Sequence, residues 1–325
     1  MTQQSRTSPA VGDPPLVSVI MNCLNGEKYL REAIDSVYTQ SYPYWEIVFW
    51  DNASRDDSAA IARSFRDGRL RYFLGKETVP LGQARNLAIR QSKGQFIAFL
   101  DCDDLWLPDK LAKQVPLFLA DEKVGLVYSD TYFFTEGSTH EKRLYAGKAP
   151  YRGHRFPELL NNYLISLETA MVRRAALDSL AYWFDENFNM IEEYDLFVRL
   201  GLDWKIDYVP DVLAKWRVHS QSWTWKSPDS FVEETRAMLE KLQQQDKISQ
   251  QYGKDLALAW HRQTLSEAKA SWRKGDGRGA RRRIRGNPHH SLKACLLWTA
   301  SFLPYHMVDW VHRSVFGILT PRDAG

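Results

Sequence analysis

The chain has 325 residues, 44% hydrophobic and 26% charged. That balance suits a soluble globular protein built as one large domain with an appendage, or as two domains. Net charge is +3 but unevenly spread, because residues 271–325 hold 10 Lys/Arg against 3 acids while the remainder is mildly acidic.

The polar, proline-bearing start MTQQSRTSPAVGDPP lacks a signal-peptide core and reads as a disordered lead-in over 1–15. Residues 16–21, LVSVIM, are a short β-branched apolar run and predict a buried strand. A helix is predicted over 25–40, where Tyr29, Leu30, Ala33, Ile34, Val37 and Tyr38 recur at helical spacing. Further strands are predicted at 45–50, 70–74, 94–100 and 124–129. Helices are predicted at 54–65, 81–92 and 107–119, the last with Pro108 near its first turn. This alternation predicts an open, mostly parallel sheet covered by helices, with ligands beyond the carboxyl ends of the strands. Residues 135–154 read as a loop, and regular pieces resume at 156–166. Two helices are predicted over 231–252 and 254–274.

No apolar run reaches the ~18–20 residues of a membrane span. Seven Lys/Arg in 273–285 precede the aromatic-apolar stretch 296–319. That tail either lies as an amphipathic helix on an anionic membrane leaflet or packs as a helical hairpin on the core or in a dimer. Nucleic acid is the weaker partner for so short a basic loop. Cys23, Cys102 and Cys295 are odd in number and include no Cys-x-x-Cys, so a reduced, cytoplasmic protein without a disulfide framework is expected.

The chemistry concentrates at FLDCDDLW, residues 99–106. Asp101 and Asp103 stand at i and i+2 beyond a strand, where both can reach one cation or its water shell. Their hard oxygen donors fit Mg²⁺ or Mn²⁺, and a metal with few protein ligands leaves positions for nucleotide phosphates. Cys102 alternates to the other face and reads as packed rather than reactive. Asp104 is either a helix cap or a ligand. Asp51 ends the strand 45–50, and Asn22 and Asn25 follow the first strand. Three chain-distant segments therefore converge on one sheet edge.

With SVIMNCLNGEKYLREAIDSVYTQSYPYWEIVFWDNAS, LGQARNLAIRQSKGQFIAFLDCDDLWLP and FDENFNMIEEYDLFVRL in this order, the chain resembles the inverting family 2 glycosyltransferases over about residues 16–220. The resemblance implies a GT-A-type, Rossmann-like, mostly parallel α/β sheet flanked by helices. It implies a glycosyltransferase domain over 16–225, with a nucleotide-sugar half at 16–130 and an acceptor half at 131–225. A helical basic and amphipathic extension, 226–325, follows.

The resemblance also implies roles. Asp51 reads the nucleobase or caps the next helix. Asn22 and Asn25 line the nucleotide, with a helix cap as the alternative for Asn25. Arg85 shares a helix face with Gly82 and Asn86 and lies beside the nucleotide, or is an Asp-paired structural arginine. Asp101 faces the ribose and Asp103 holds the metal. Glu193 is the general base, with Glu192 and Asp195 as fallbacks, because this chain has Glu-Glu where family members usually carry Glu-Asp. In KWRVHSQSW, Arg217 meets phosphate, and His219 ligates the metal or touches the diphosphate. The implied partners are a nucleotide-diphosphate sugar and a saccharide acceptor, which is lipid-linked for many members. Such an enzyme works in the cytoplasm or at the inner face of the membrane. The Glu-Glu departure leaves one alternative, a catalytically inactive relative that binds nucleotide-sugar or glycan.

Overall fold

Strand β1 (Val17–Cys23) is buried along its whole length, as its apolar run requires, because it lies inside a sheet. The computed structural model describes residues 13–135, 141–147, 149–219, 227–287 and 291–309. The predicted lead-in lies mostly outside these residues, as do residues 310–319 of the amphipathic stretch. The sheet runs β3 (Leu70–Leu74), β2 (Trp45–Asp51), β1, β4 (Phe96–Phe99), β8 (Met171–Arg173), β6 (Val124–Phe134), β9 (Lys205–Arg217) and β5 (Leu105–Trp106). A short β7 (Lys142–Arg143) pairs with β6.

Strands β3, β2, β1 and β4 are parallel, so their carboxyl ends share one edge. The predicted fifth strand is β6, but it does not adjoin β4. Strand β8 lies between them, antiparallel to both. Three residues are too few for β8 to register as a periodic pattern.

Alternation along β1 divides the core. Val17, Val19, Met21 and Cys23 face Leu30, Ala33, Ile34 and Val37 of α1 (Glu27–Tyr38) and Leu111, Val115 and Phe118 of α4 (Lys110–Ala120). Ile20 joins the opposite cluster with Ala88 and Ile89 of α3 (Leu81–Gln91) and Leu196, Phe197 and Val198 of α7 (Glu192–Leu200).

Helix α2 (Ser58–Ser64) is shorter than predicted, because Ser54 and Asp56 accept from the backbone of Asn25 and Glu27 in a loop-to-loop contact. The predicted helix 231–252 is two helices, Pro228–Gln243 and Asp246–Gln251, and Gly253–Arg273 follows. Met238, Leu239, Leu242, Leu256 and Ala259 of this region enter the same buried cluster as α7. A smaller cluster joins Leu265, Ala268 and Trp272 to Ala280 and Ile284 of Gly277–Arg285 and Ala294 of Leu292–Ala300.

Lys110, fully buried in α4, donates to Gln114 Oε1 at 2.8 Å and stands 4.3 Å from the Trp106 ring centroid. Burial pushes its ammonium down to about 7. Between that value and the ordinary 10.5, the folded state holds fewer protons than the unfolded state, so stability rises with pH across this window. Below pH 7 both states are protonated and the slope vanishes. Thermal melts of the native chain against Lys110→Met should show this gain, about 2 kcal/mol between pH 7 and 9, in the native chain alone.

Candidate active site

The acid loop extends β4. Asp104 N–H donates to Asp101 O at 3.2 Å, closing a tight turn, and the turn directs Asp101 and Asp103 to different partners. Arg85 Nη2 lies 3.0 Å from Asp101 Oδ1, and its Nη1 lies 3.0 Å from Glu192 Oε1. This buried guanidinium therefore ties the acid loop to the start of α7. His219 Nε2 lies 2.9 Å from Asp103 Oδ2, and the His219 ring packs on Tyr29 at 5.2 Å.

Arg217 differs from the expected phosphate contact. It is 3% exposed, its Nε donates to Asp103 O at 2.9 Å, and its Nη2 donates to Glu32 Oε2 at 2.8 Å. Its ring neighbours are Tyr29 and Phe134. Committed in this way, Arg217 positions the acid loop from the end of β9. Asp104 is neither a cap nor a free ligand. It is buried, accepts from Arg217 N–H at 2.9 Å, and leaves the N-cap position of α4 to Asp109.

At the carboxyl end of β2, Asp51 is fully buried and accepts from Ser54 N–H at 2.7 Å and from the Tyr72 hydroxyl at 2.6 Å. It does not cap α2, whose N-cap position is Asp57. Asn22 is 8% exposed, and its Nδ2 is a buried donor with no partner among the described residues, as a group awaiting a ligand would be. Asn25 is exposed with φ 55°, one residue before the N-cap position Gly26, and its Oδ1 accepts from Arg55 N–H at 2.9 Å. It clasps the loops after β1 and β2 and does not cap α1.

Gly82 and Asn86 have work of their own. A Cβ on Gly82 would lie 2.1 Å from Asp185 O, so only glycine lets α3 approach the 184–189 segment this closely. Asn86 exchanges bonds with Phe184, Nδ2 to O at 2.9 Å and N–H to Oδ1 at 3.0 Å. Together they dock the segment that leads into α7.

Three carboxylates begin α7. Glu192 is 2% exposed and committed to Arg85. Asp195 is 1% exposed and paired with Arg199 Nη2 at 2.6 Å. Glu193 is half-buried, and its carboxylate has no ion pair and no hydrogen bond to another residue among the described residues. Desolvation pushes its carboxyl well above the usual glutamate range, the Glu192 charge adds to this, and Arg85 opposes it. Sequence reasoning missed Glu234, whose carboxylate accepts from the N–H groups of Asn189, Met190 and Ile191, at 2.9 Å for Met190. This carboxylate on the helix Pro228–Gln243 sets the angle at which α7 presents Glu193. No local pattern marks it, since its partners lie more than forty residues away.

Among the described residues no group of three or more His, Cys, Asp or Glu could hold a metal alone. Asp103 and His219 nevertheless converge with half-open side chains, 31% and 18% exposed. Two donors fit a hard cation that takes its remaining oxygens from a diphosphate.

A family model described as glycosyl transferase family 2 matches residues 18–181. An uncharacterized glycosyltransferase of Rickettsia typhi is 30% identical over 72% of this chain and 74% of its own. WfgD of Escherichia coli, named a UDP-Glc:alpha-D-GlcNAc-diphosphoundecaprenol beta-1,3-glucosyltransferase, is 28% identical over 65% of this chain and 80% of its own. The mannosyltransferase PcManGT from Pyrobaculum calidifontis, solved in complex with GDP-Man and Mn²⁺, shares the fold with a TM-score of 0.60, over 96% of this chain and 90% of that one at 20% identity.

Proposed function

The chain belongs to glycosyl transferase family 2, and from that premise we propose that it moves a sugar from a nucleotide-diphosphate donor to a hydroxyl of a saccharide acceptor, inverting the anomeric centre, in cell-surface glycan assembly. The observation that carries this reading is the single guanidinium of Arg85 joining Asp101 of the acid loop to Glu192 beside Glu193. One rigid cation thus fixes a donor-binding loop relative to an uncommitted carboxylate.

In this reading Asp51 and the free amide of Asn22 meet the nucleobase end, and Asp101 meets the ribose. Asp103 and His219 would hold Mg²⁺ or Mn²⁺ against the diphosphate. A bound divalent ion there stabilises the charge that grows on the leaving group. Glu193 takes the proton of the acceptor hydroxyl. The names of two relatives, one solved in complex with GDP-Man and Mn²⁺ and one called a UDP-Glc:alpha-D-GlcNAc-diphosphoundecaprenol glucosyltransferase, support the donor class and a lipid-linked acceptor. Incubation with a panel of UDP-, GDP- and dTDP-sugars, read by mass spectrometry, tests the proposal. At least one donor should be consumed when metal is present, and consumption of none would overturn it.

The described part of the tail supports an anionic membrane surface as a further partner. No helix among the described residues is long and apolar enough to cross a membrane. Leu292, Leu296, Phe302, Leu303 and Met307 are exposed, Leu292 to 77%. Arg281 lies 4.1 Å from the Phe302 ring and Arg285 5.4 Å from the Trp298 ring, so basic and apolar groups share one face. Such a face suits an anionic leaflet. Full-length protein should float with anionic vesicles more than with zwitterionic ones, and Arg281→Glu/Arg285→Glu should abolish the difference. Equal flotation on both vesicles counts against a membrane partner.

A further inference from the structure

We infer that Cys23 and Cys102 are a disulfide-forming site beneath the acid loop, closed by hydrogen peroxide, and that its closure displaces Asp101 and Asp103 and weakens nucleotide binding. Strands β1 and β4 pair in parallel with Val17 opposite Phe96 and Ile20 opposite Phe99. Leu100 N–H donates to Ile20 O at 3.1 Å, which carries the match beyond the strand. Cys102 follows two residues later, in the turn that Asp104 N–H closes onto Asp101 O, and that turn brings its side chain back to Cys23 at the end of β1.

Both side chains meet the start of α1 at Gly26. A Cβ placed on Gly26 would lie 2.8 Å from Cys23 Sγ and 2.7 Å from Cys102 Sγ, so both sulfurs crowd the same point. Asp101 and Asp103 flank Cys102 and turn to Arg85 and His219. Any pull on the Cys102 backbone is therefore felt by both carboxylates. Cys102 is packed, as expected, but against a second thiol that nothing in the sequence places beside it.

Cys102 is partly exposed and Cys23 is 2% exposed, so an oxidant reaches Cys102 first. The Cys102 thiolate attacks one peroxide oxygen, and hydroxide leaves with the O–O bonding pair to give a sulfenic acid. The Cys23 thiolate attacks that sulfur and expels a second hydroxide. The two hydroxides take the two thiol protons, so two thiols and one peroxide yield one disulfide and two waters.

The disulfide rests on the thiols alone, and only its effect on binding rests on the acid loop being the donor site. The test treats the full chain with hydrogen peroxide, alkylates residual thiols in denaturant and maps peptides without reduction. UDP and GDP titrations with Mn²⁺ accompany it, before treatment, after treatment and after dithiothreitol. A Cys23–Cys102 linked peptide with Cys295 still alkylated is expected. Affinity for whichever nucleotide binds should fall about ten-fold and return with dithiothreitol. Cys102→Ser should form no link and should lose no affinity on treatment. Cys102 found as sulfinic acid beside alkylated Cys23 would overturn the site, and a linked peptide with unchanged affinity would overturn the switch. If neither nucleotide binds the untreated chain, the donor reading and the binding effect fall together, and the peptide map still decides the disulfide.

Discussion

Glu193→Gln lowers sugar transfer by about 10²–10⁴-fold, the range general-base removal gives, while donor binding stays near that of the native chain. The amide keeps the shape of the side chain but cannot take the acceptor proton. Folding is spared because the Glu193 carboxylate has no ion pair or hydrogen bond to another residue among the described residues. The neighbouring change behaves differently. Glu192→Gln leaves the buried Arg85 short of one partner and costs about 3–5 kcal/mol of stability, so its loss of activity comes with a lower melting temperature. Steady-state rates and melts of the two variants distinguish base from support. The pH profile adds a signature. Desolvation raises the Glu193 carboxyl, and a base works only when deprotonated. The acid limb of the native rate profile should therefore lie above the usual glutamate range and should be absent from the residual activity of Glu193→Gln.

Asp103→Ala removes the carboxylate that meets His219 and lowers turnover by about 10²–10³-fold, as loss of a group that stabilises leaving-group charge does. The native enzyme should show a rise of rate with Mn²⁺ concentration, and the variant should lose it. His219→Ala should shift that curve to higher metal and leave a measurable maximum, since one carboxylate remains. Arg217 holds the Asp103 carbonyl rather than its carboxylate, so the loop keeps its course in both variants. A metal titration that is identical for native and Asp103→Ala protein would remove Asp103 as ligand.

The parallel half of the fold was legible because its strands are apolar runs alternating with amphipathic helices. The parallel order brings Asp51, Asn22 and the acid loop to one edge. The other half was not. Strand β8 is three residues long, and β9 passes through Asp207, Pro210 and Asp211, which break its alternation. Side-chain commitments were also hidden. Nothing in KWRVHSQSW says that Arg217 donates to Glu32 and to the Asp103 carbonyl, or that Glu234 anchors the backbone before α7. Those contacts join segments far apart in sequence, and only the folded chain brings them together. The sequence reads Arg85 as nucleotide-facing or Asp-paired. The structure pairs it with Asp101 and also with Glu192, a partner the sequence did not suggest.

The stereochemistry of transfer tests the central claim most directly. A donor held at the acid loop and an acceptor deprotonated by Glu193 react in one displacement, with attack from the face opposite the diphosphate. Proton NMR of the anomeric signal, followed from the first turnover with the donor found in the panel, should show a product of inverted configuration. A product that retains the donor's configuration would require a second displacement and would contradict Glu193 acting as base in a single-step transfer.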